Sequence, residues 1–223
     1  MTTIRLLSSL AFASTLDALR PALAAAGLAV EATLLPTALL LPRIRAGERA
    51  DAAILTAEGV QALVDERILL ARHDLARSNV GIAVRQGAAR PPLGTMDELI
   101  QTLHAARSIG LSRAGASGLF FAGLLDRLGL TEMVQAKAQV IESGYTAALA
   151  ADGRVELAVQ QISELLMVPG IDLVGPLPAA CSGESMFSGG VFAAAAAPEA
   201  AGALLARVAS AHDVLRACGL APA

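Results

Sequence analysis

Three places in the chain put small hydroxyl residues between an apolar, strand-like run and a helical pattern: Leu7-Ser8-Ser9, Pro36-Thr37-Ala38 and Gly115-Ala116-Ser117-Gly118. The first turn of a helix leaves backbone N–H groups unpaired and carries the positive end of the macrodipole, so such a junction accepts an anion without a formal cation. Ordinary N-capping, for which Ser and Thr are favoured, accounts for any one of them. All three fall at the carboxyl ends of strands, where α/β proteins bind ligands, and together they point to a site.

A fourth stretch, Gln160-Gln161-Ile162-Ser163-Glu164, ends another apolar strand. Neighbouring strand residues face opposite ways, so at least one amide emerges at the strand end, where it can donate to a ligand oxygen. A solvent-exposed strand terminus is the plainer explanation, and Glu164 could cap the helix that follows. Arg77, Arg85 and Arg113 are the cations nearest these junctions; an Arg fork recognises a carboxylate bidentately, and Arg113 is favoured because it sits in the Gly-rich loop. His73 lies near a change of character along the chain, and His104 and His212 fall on helical patterns; all three are most simply surface or satisfied core residues. Tyr145, the one tyrosine, follows Ser143-Gly144 and opens a helix, where it could close over a ligand. The dinucleotide G-x-G-x-x-G, the Walker pattern and G-x-S-x-G are all absent.

These residues need elements to hold them. Strand-like runs at 4–7, 29–34 and 52–55 alternate with helical patterns at 10–26, 38–46 and 58–66, which predicts a mostly parallel sheet with crossover helices. From Arg77 the pattern changes to a longer strand, 80–84. Helices at 96–106, 119–128 and 146–152 then alternate with strands at 108–111, 139–141 and 157–160. A strand at 189–195 and a helix at 200–217 close the chain. Two crossings, near Arg77 and Leu173, predict a discontinuous first lobe, 1–78 plus 174–223, and a second lobe, 79–173, with a ligand cleft between them.

Composition narrows the function. With 223 residues, 55% of them apolar, the chain has ample material for packed cores and is not disordered. A net charge of -3, a single lysine (Lys137), no Trp and one Tyr exclude a nucleic-acid surface of the usual kind. Cys181 and Cys218 lie apart from any Cys/His cluster, so no metal site is expected; they are most simply buried thiols, with a disulfide left open. Mean hydropathy is +0.59, yet no uninterrupted run reaches the ~20 apolar residues of a membrane span. Arg5 followed by Leu6 to Leu16 mimics a poor leader, but it runs straight into an amphipathic helix (Leu16, Leu19, Leu23). The expected compartment is therefore cytoplasmic as the sequence stands, and periplasmic if a leader has been removed.

With these residues in hand, the chain resembles the type II periplasmic-binding-protein family, closest to its molybdate-type solute-binding cluster. The resemblance rests on Leu7-Ser8, Pro36-Thr37-Ala38-Leu39-Leu40, the helix end and Ala-Asp signature from Arg43 to Asp51, Gly115-Ala116-Ser117-Gly118 and Ala158 to Glu164. It implies a two-lobed α/β fold, each lobe a mostly parallel sheet flanked by helices. It implies a small oxyanion or carboxylate as ligand, no cofactor, and leaves a homodimer open. Ligand donors would come from Ser8 or Ser9, Thr37 with Ala38, Ser117 with Gly118, and Tyr145. Gln161 stands where the family's tyrosine falls, which suits a larger, partly organic anion; Gln160 would share the selectivity, and Arg77 or Arg113 would supply countercharge. The same resemblance reaches aconitate isomerases, which move a double bond in a small tricarboxylate, so the alternative is a cytosolic carboxylate isomerase with Glu164, Tyr145 or His73 as base. A ligand sensor that signals to a partner is a third reading.

Overall fold

The computed structural model describes residues 1–181 and 183–223. Strand β1 (Thr2–Ser8) leads through a 3-10 turn (Leu10–Phe12) into α1 (Ala13–Ala25). Then come β2 (Leu28–Leu34), α2 (Thr37–Arg45), β3 (Ala52–Thr56), α3 (Ala57–Asp65) and the long β4 (His73–Arg85). The middle of the chain forms α4 (Met96–Ala105), β5 (Ile109–Ser112), α5 (Ala116–Leu128), α6 (Thr131–Gln135), β6 (Ala138–Ile141), α7 (Thr146–Ala151), β7 (Leu157–Gln161), α8 (Ile162–Leu165) and β8 (Ile171–Pro176). The last segment is β9 (Glu184–Val191), α9 (Pro198–Ser210), α10 (His212–Ala217) and β10 (Ala221–Pro222).

The chain divides into two compact units, Met1–Ser78 with Ser185–Ala223, and Asn79–Glu184. In the first, β2, β1 and β3 are parallel neighbours, and β9 runs antiparallel to β3. Strand β10 pairs antiparallel with Ala76 and Arg77 of β4. Each face of this sheet buries its own core. One gathers Ile4, Leu6, Phe12, Leu19, Ile54, Phe187, Leu204 and Val208, and the other Leu7, Leu40, Ile44, Leu55, Leu63 and Phe192. Alternation along β1 explains the split, because Ile4 and Leu6 face one way and Leu7 the other. Phe12 and Phe187 meet edge to face, ring centres 5.9 Å apart.

In the second unit β6, β5 and β7 are parallel, and β4 runs antiparallel to both β7 and β8. Its cores are Val80, Ile82, Leu99, Leu103, Phe121, Leu124 and Val159 on one side, and Ala83, Ala147, Leu149, Ala158 and Leu165 on the other. Both units are thus α/β layers with helices on the sheet faces.

Several sequence expectations are displaced. The second crossing, expected near Leu173, comes at Glu184 instead: β8 pairs with Gly81–Arg85, and Leu177 and Cys181 pack in the second core. The strand expected at 189–195 starts at Glu184 and ends at Val191, because the stretch opposite β3 runs from Phe187 to Val191. The helix expected at 200–217 is two, α9 and α10, which meet at the non-helical Ala211. Helix α5 starts at Ala116, three residues before the expected Leu119, which places Ser117 inside its first turn. Cys181 and Cys218 are free thiols.

Candidate functional site

In the first unit β1 and β2 end together, and the parallel β3 runs on to Thr56. Ser8, the last residue of β1, lies opposite Leu34 of β2 and Ile54 of β3. Just beyond these ends sit the polar groups. The Ser8 hydroxyl donates to the Ser9 carbonyl at 3.1 Å. Ser9 caps the 3-10 turn, its hydroxyl oxygen accepting from the N–H of Ala11 at 3.3 Å, which leaves its own O–H to donate.

Thr37 opens α2, is 9% exposed, and accepts the N–H of Thr56 at 3.1 Å. With an acceptor position filled by a backbone donor, the Thr37 oxygen keeps its O–H available to donate. Ala38 is exposed on the same first turn. Thr56 was not among the expected residues. It caps α3, accepting the N–H of Gly59 at 3.4 Å, and Leu55-Thr56-Ala57 repeats the strand-hydroxyl-helix pattern of Pro36-Thr37-Ala38. That repeat was the signal available for it.

In the second unit the loop from Ser112 to Gly118 is held by its own small residues. The Ser112 hydroxyl accepts from Gly115 N–H at 3.0 Å. A Cβ on Gly118 would lie 1.7 Å from the Ser112 carbonyl oxygen, so Gly118 is required by this close approach whatever the ligand. Ser117 is 1% exposed, and its hydroxyl has no hydrogen-bond partner among the described residues. A buried orphan hydroxyl is costly unless something supplies its partner.

The β7 end is denser than alternation suggested, for Gln160 and Gln161 are both buried. Gln160 does not present its amide to solvent. Its Oε1 accepts from the N–H and hydroxyl of Thr146 at 2.7 and 3.0 Å, and its Nε2 donates to the Gly144 carbonyl at 2.8 Å. Tyr145, half-buried, lies between those two anchors and precedes the first turn of α7. Glu164 is 5% exposed, and its Oε2 has no partner among the described residues. Burial pushes its carboxyl up to about 8, against the lowering pull of the Gln160 amide and the Gln161 N–H. It is therefore largely protonated at neutral pH.

The expected cations have partners within the protein. Arg113 is exposed and pairs with Glu142 at 3.2 Å. Arg77 donates to the Pro222 carbonyl at 3.2 Å, tying β4 to the C-terminal strand. His73 is exposed at the first position of β4. Among the described residues no group of three or more His, Cys, Asp or Glu is placed to hold a metal, and no helix is long and apolar enough to cross a membrane.

Parallel sheets with hydroxyl and amide groups at their carboxyl ends, in two units of which the first is discontinuous, define a solute-binding type of protein. The chain belongs to the bacterial extracellular solute-binding protein family, whose sequence model matches residues 4–217. It is 34% identical to an aconitate isomerase from a Pseudomonas species over 233 aligned positions, covering 100% of this chain and 88% of that one. Its fold is shared by the periplasmic molybdate-binding protein of Azotobacter vinelandii, at a TM-score of 0.81 and 17% identity over 97% of this chain and 98% of the other. A sulfate-binding protein from Mycobacterium tuberculosis H37Rv matches at a TM-score of 0.73 and 14% identity, covering 100% and 87%.

Proposed function

We propose that the protein binds a small oxyanion or carboxylate through hydroxyl and backbone donors at its strand ends. The observation that carries this reading is the buried Ser117 hydroxyl, which has no partner among the described residues and sits in the first turn of the thirteen-residue α5, where N–H groups and the helix dipole favour negative charge. Ser9 and Thr37 add hydroxyls whose oxygens already accept backbone N–H groups. In this proposal Ser9 and Thr37 are the donors of the first unit and Ser117 that of the second, with Tyr145 and Gln161 of the second unit setting which anion fits. A thermal-shift screen over molybdate, sulfate, phosphate and small di- and tricarboxylates tests it, because a ligand that binds only the folded chain raises the melting temperature. A ligand that stabilises the wild type and loses its effect in Ser117→Ala supports the reading; absence of any shift across the panel overturns it.

Glu164 favours a second reading, a cofactor-independent isomerase of a small unsaturated di- or tricarboxylate, to which the relationship with an aconitate isomerase adds weight. Moving a double bond next to a carboxylate requires a base to take a proton from carbon, donors to hold the charge that develops, and return of a proton at the other end of the allylic unit. A buried carboxyl titrating near 8 is matched to both halves of that exchange. Of the three candidate bases it has the orphaned, buried oxygen, whereas His73 is exposed. Incubation with cis- or trans-aconitate, followed by proton NMR, separates the readings: interconversion that Glu164→Gln abolishes supports the enzyme, and binding without turnover supports the carrier. The compartment follows the same division, periplasmic for a carrier and cytoplasmic for the isomerase, and cell fractionation decides it.

A further inference from the structure

We infer that Gln160 is a positioning residue that holds Tyr145 in place for the ligand by clamping the backbone on both sides of it. The inference rests on the proposed reading that Tyr145 faces the bound anion. Gln160 sits at the fourth position of β7, 1% exposed, and its primary amide works as a surrogate peptide group. Its oxygen takes the N–H and the hydroxyl of Thr146; its nitrogen donates to the carbonyl of Gly144. Residues 144 and 146 are thereby fixed from one rigid strand end, and the residue between them is Tyr145.

The segment needs such a clamp. Gly144 has φ of +100°, a conformation open to glycine, whose backbone freedom is also the largest to be lost on ordering. Helix α7, which starts at Thr146, is six residues long and has no side-chain cap bond at Tyr145. An isolated helix of that length does not hold itself. The Thr146 hydroxyl, with one proton to give, has the Val159 carbonyl at 3.3 Å as an alternative acceptor to Gln160 Oε1 at 3.0 Å, and both acceptors belong to β7.

The chain contains one tyrosine and no tryptophan, so its near-ultraviolet fluorescence reports Tyr145 alone. In Gln160→Leu, acrylamide quenching of that emission should rise at least twofold and its anisotropy fall, while hydrogen exchange at the Thr146 amide accelerates at least tenfold. Affinity for cis-aconitate or molybdate, whichever the wild type binds, should drop at least tenfold with a far-ultraviolet spectrum unchanged. Gln160→Glu keeps an acceptor for Thr146 and should restore the Thr146 protection and most of the quenching behaviour, which a mere packing defect would not do. It also keeps the test open if the leucine variant fails to fold, because it retains the acceptor for the Thr146 N–H while exchanging the amide donor to Gly144 for an oxygen.

Wild-type quenching and Thr146 protection in folded Gln160→Leu overturn the clamp. A loosened Tyr145 with unchanged probe affinity overturns its role toward the ligand. A wild-type chain that binds neither these probes nor any other anion of the thermal-shift panel overturns the anion reading itself, and the quenching and exchange results then still decide the clamp.

Discussion

The carboxylate of Asp51 accepts the backbone N–H of Ala197 at 3.0 Å across 146 positions of sequence, and that of Ala196 at 2.9 Å through the same oxygen. Its other oxygen takes the N–H of Arg5 at 2.9 Å. One buried side chain thus fastens β1, the start of β3 and the turn before α9. This is the physical content of the Ala-Asp signature: an acid 4% exposed, satisfied by three main-chain donors.

Asp51→Ala leaves those three N–H groups without their acceptor. Stability should fall by about 3–5 kcal/mol, since breaking a buried charged hydrogen-bond set costs much more than one neutral bond. Urea denaturation measures it. A loss below about 1 kcal/mol would mean water replaces the carboxylate without strain.

Glu164 makes stability depend on pH. Its carboxyl titrates near 8 in the folded chain and, unburied, near 4.5, so between those values the folded form holds one more proton than the unfolded. The contribution of the neutral acid is therefore complete below about pH 4.5 and is lost as pH rises through about 8, at up to about 1.4 kcal/mol per pH unit. Denaturation midpoints between pH 5 and 8.5 should fall in the wild type and flatten in Glu164→Gln. Parallel profiles for the two proteins would show that Glu164 is ionised throughout.

Thr37→Ala should weaken the anion that the thermal screen identifies by ~1–3 kcal/mol, roughly 5- to 150-fold in Kd, because a hydroxyl held by Thr56 N–H has no substitute at that helix start. Calorimetric titration gives the number. Unchanged affinity removes Thr37 from the site.

Two glycines of α5 should respond with opposite sign. Gly118→Ala drives a methyl group into the Ser112 carbonyl and should cost about 3 kcal/mol. At Gly123 the nearest atom is Arg127 Nη1 at 3.7 Å, an ordinary contact, so alanine there should stabilise the helix by up to about 1 kcal/mol. Thermal melts of the pair test it, and an unaffected Gly118→Ala would mean that the loop yields.

Periodicity alone carried the alternation of strands and helices, because the apolar stripe of each element must face a core and its spacing is written in neighbouring residues. The strand-to-helix hydroxyls at Ser8-Ser9, Thr37 and Ser117 were legible for the same local reason. The state of each polar group was not. Gln160 and Gln161 look alike in sequence, yet the amide of Gln160 is consumed by Gly144 and Thr146, residues 14 to 16 positions earlier. Arg113 looked like a countercharge because of its loop, and the neighbouring strand end supplies Glu142 to pair with it.

The sequence by itself determined the class of fold and the kind of residue at each strand end. Which hydroxyls keep a proton to donate, which carboxyl stays neutral and which amide becomes a strut were decided only by tertiary structure. Hydrogen bonding and desolvation act over a few ångströms of space, and the groups that set them at Asp51, Gln160 and Glu164 come from different elements of the chain.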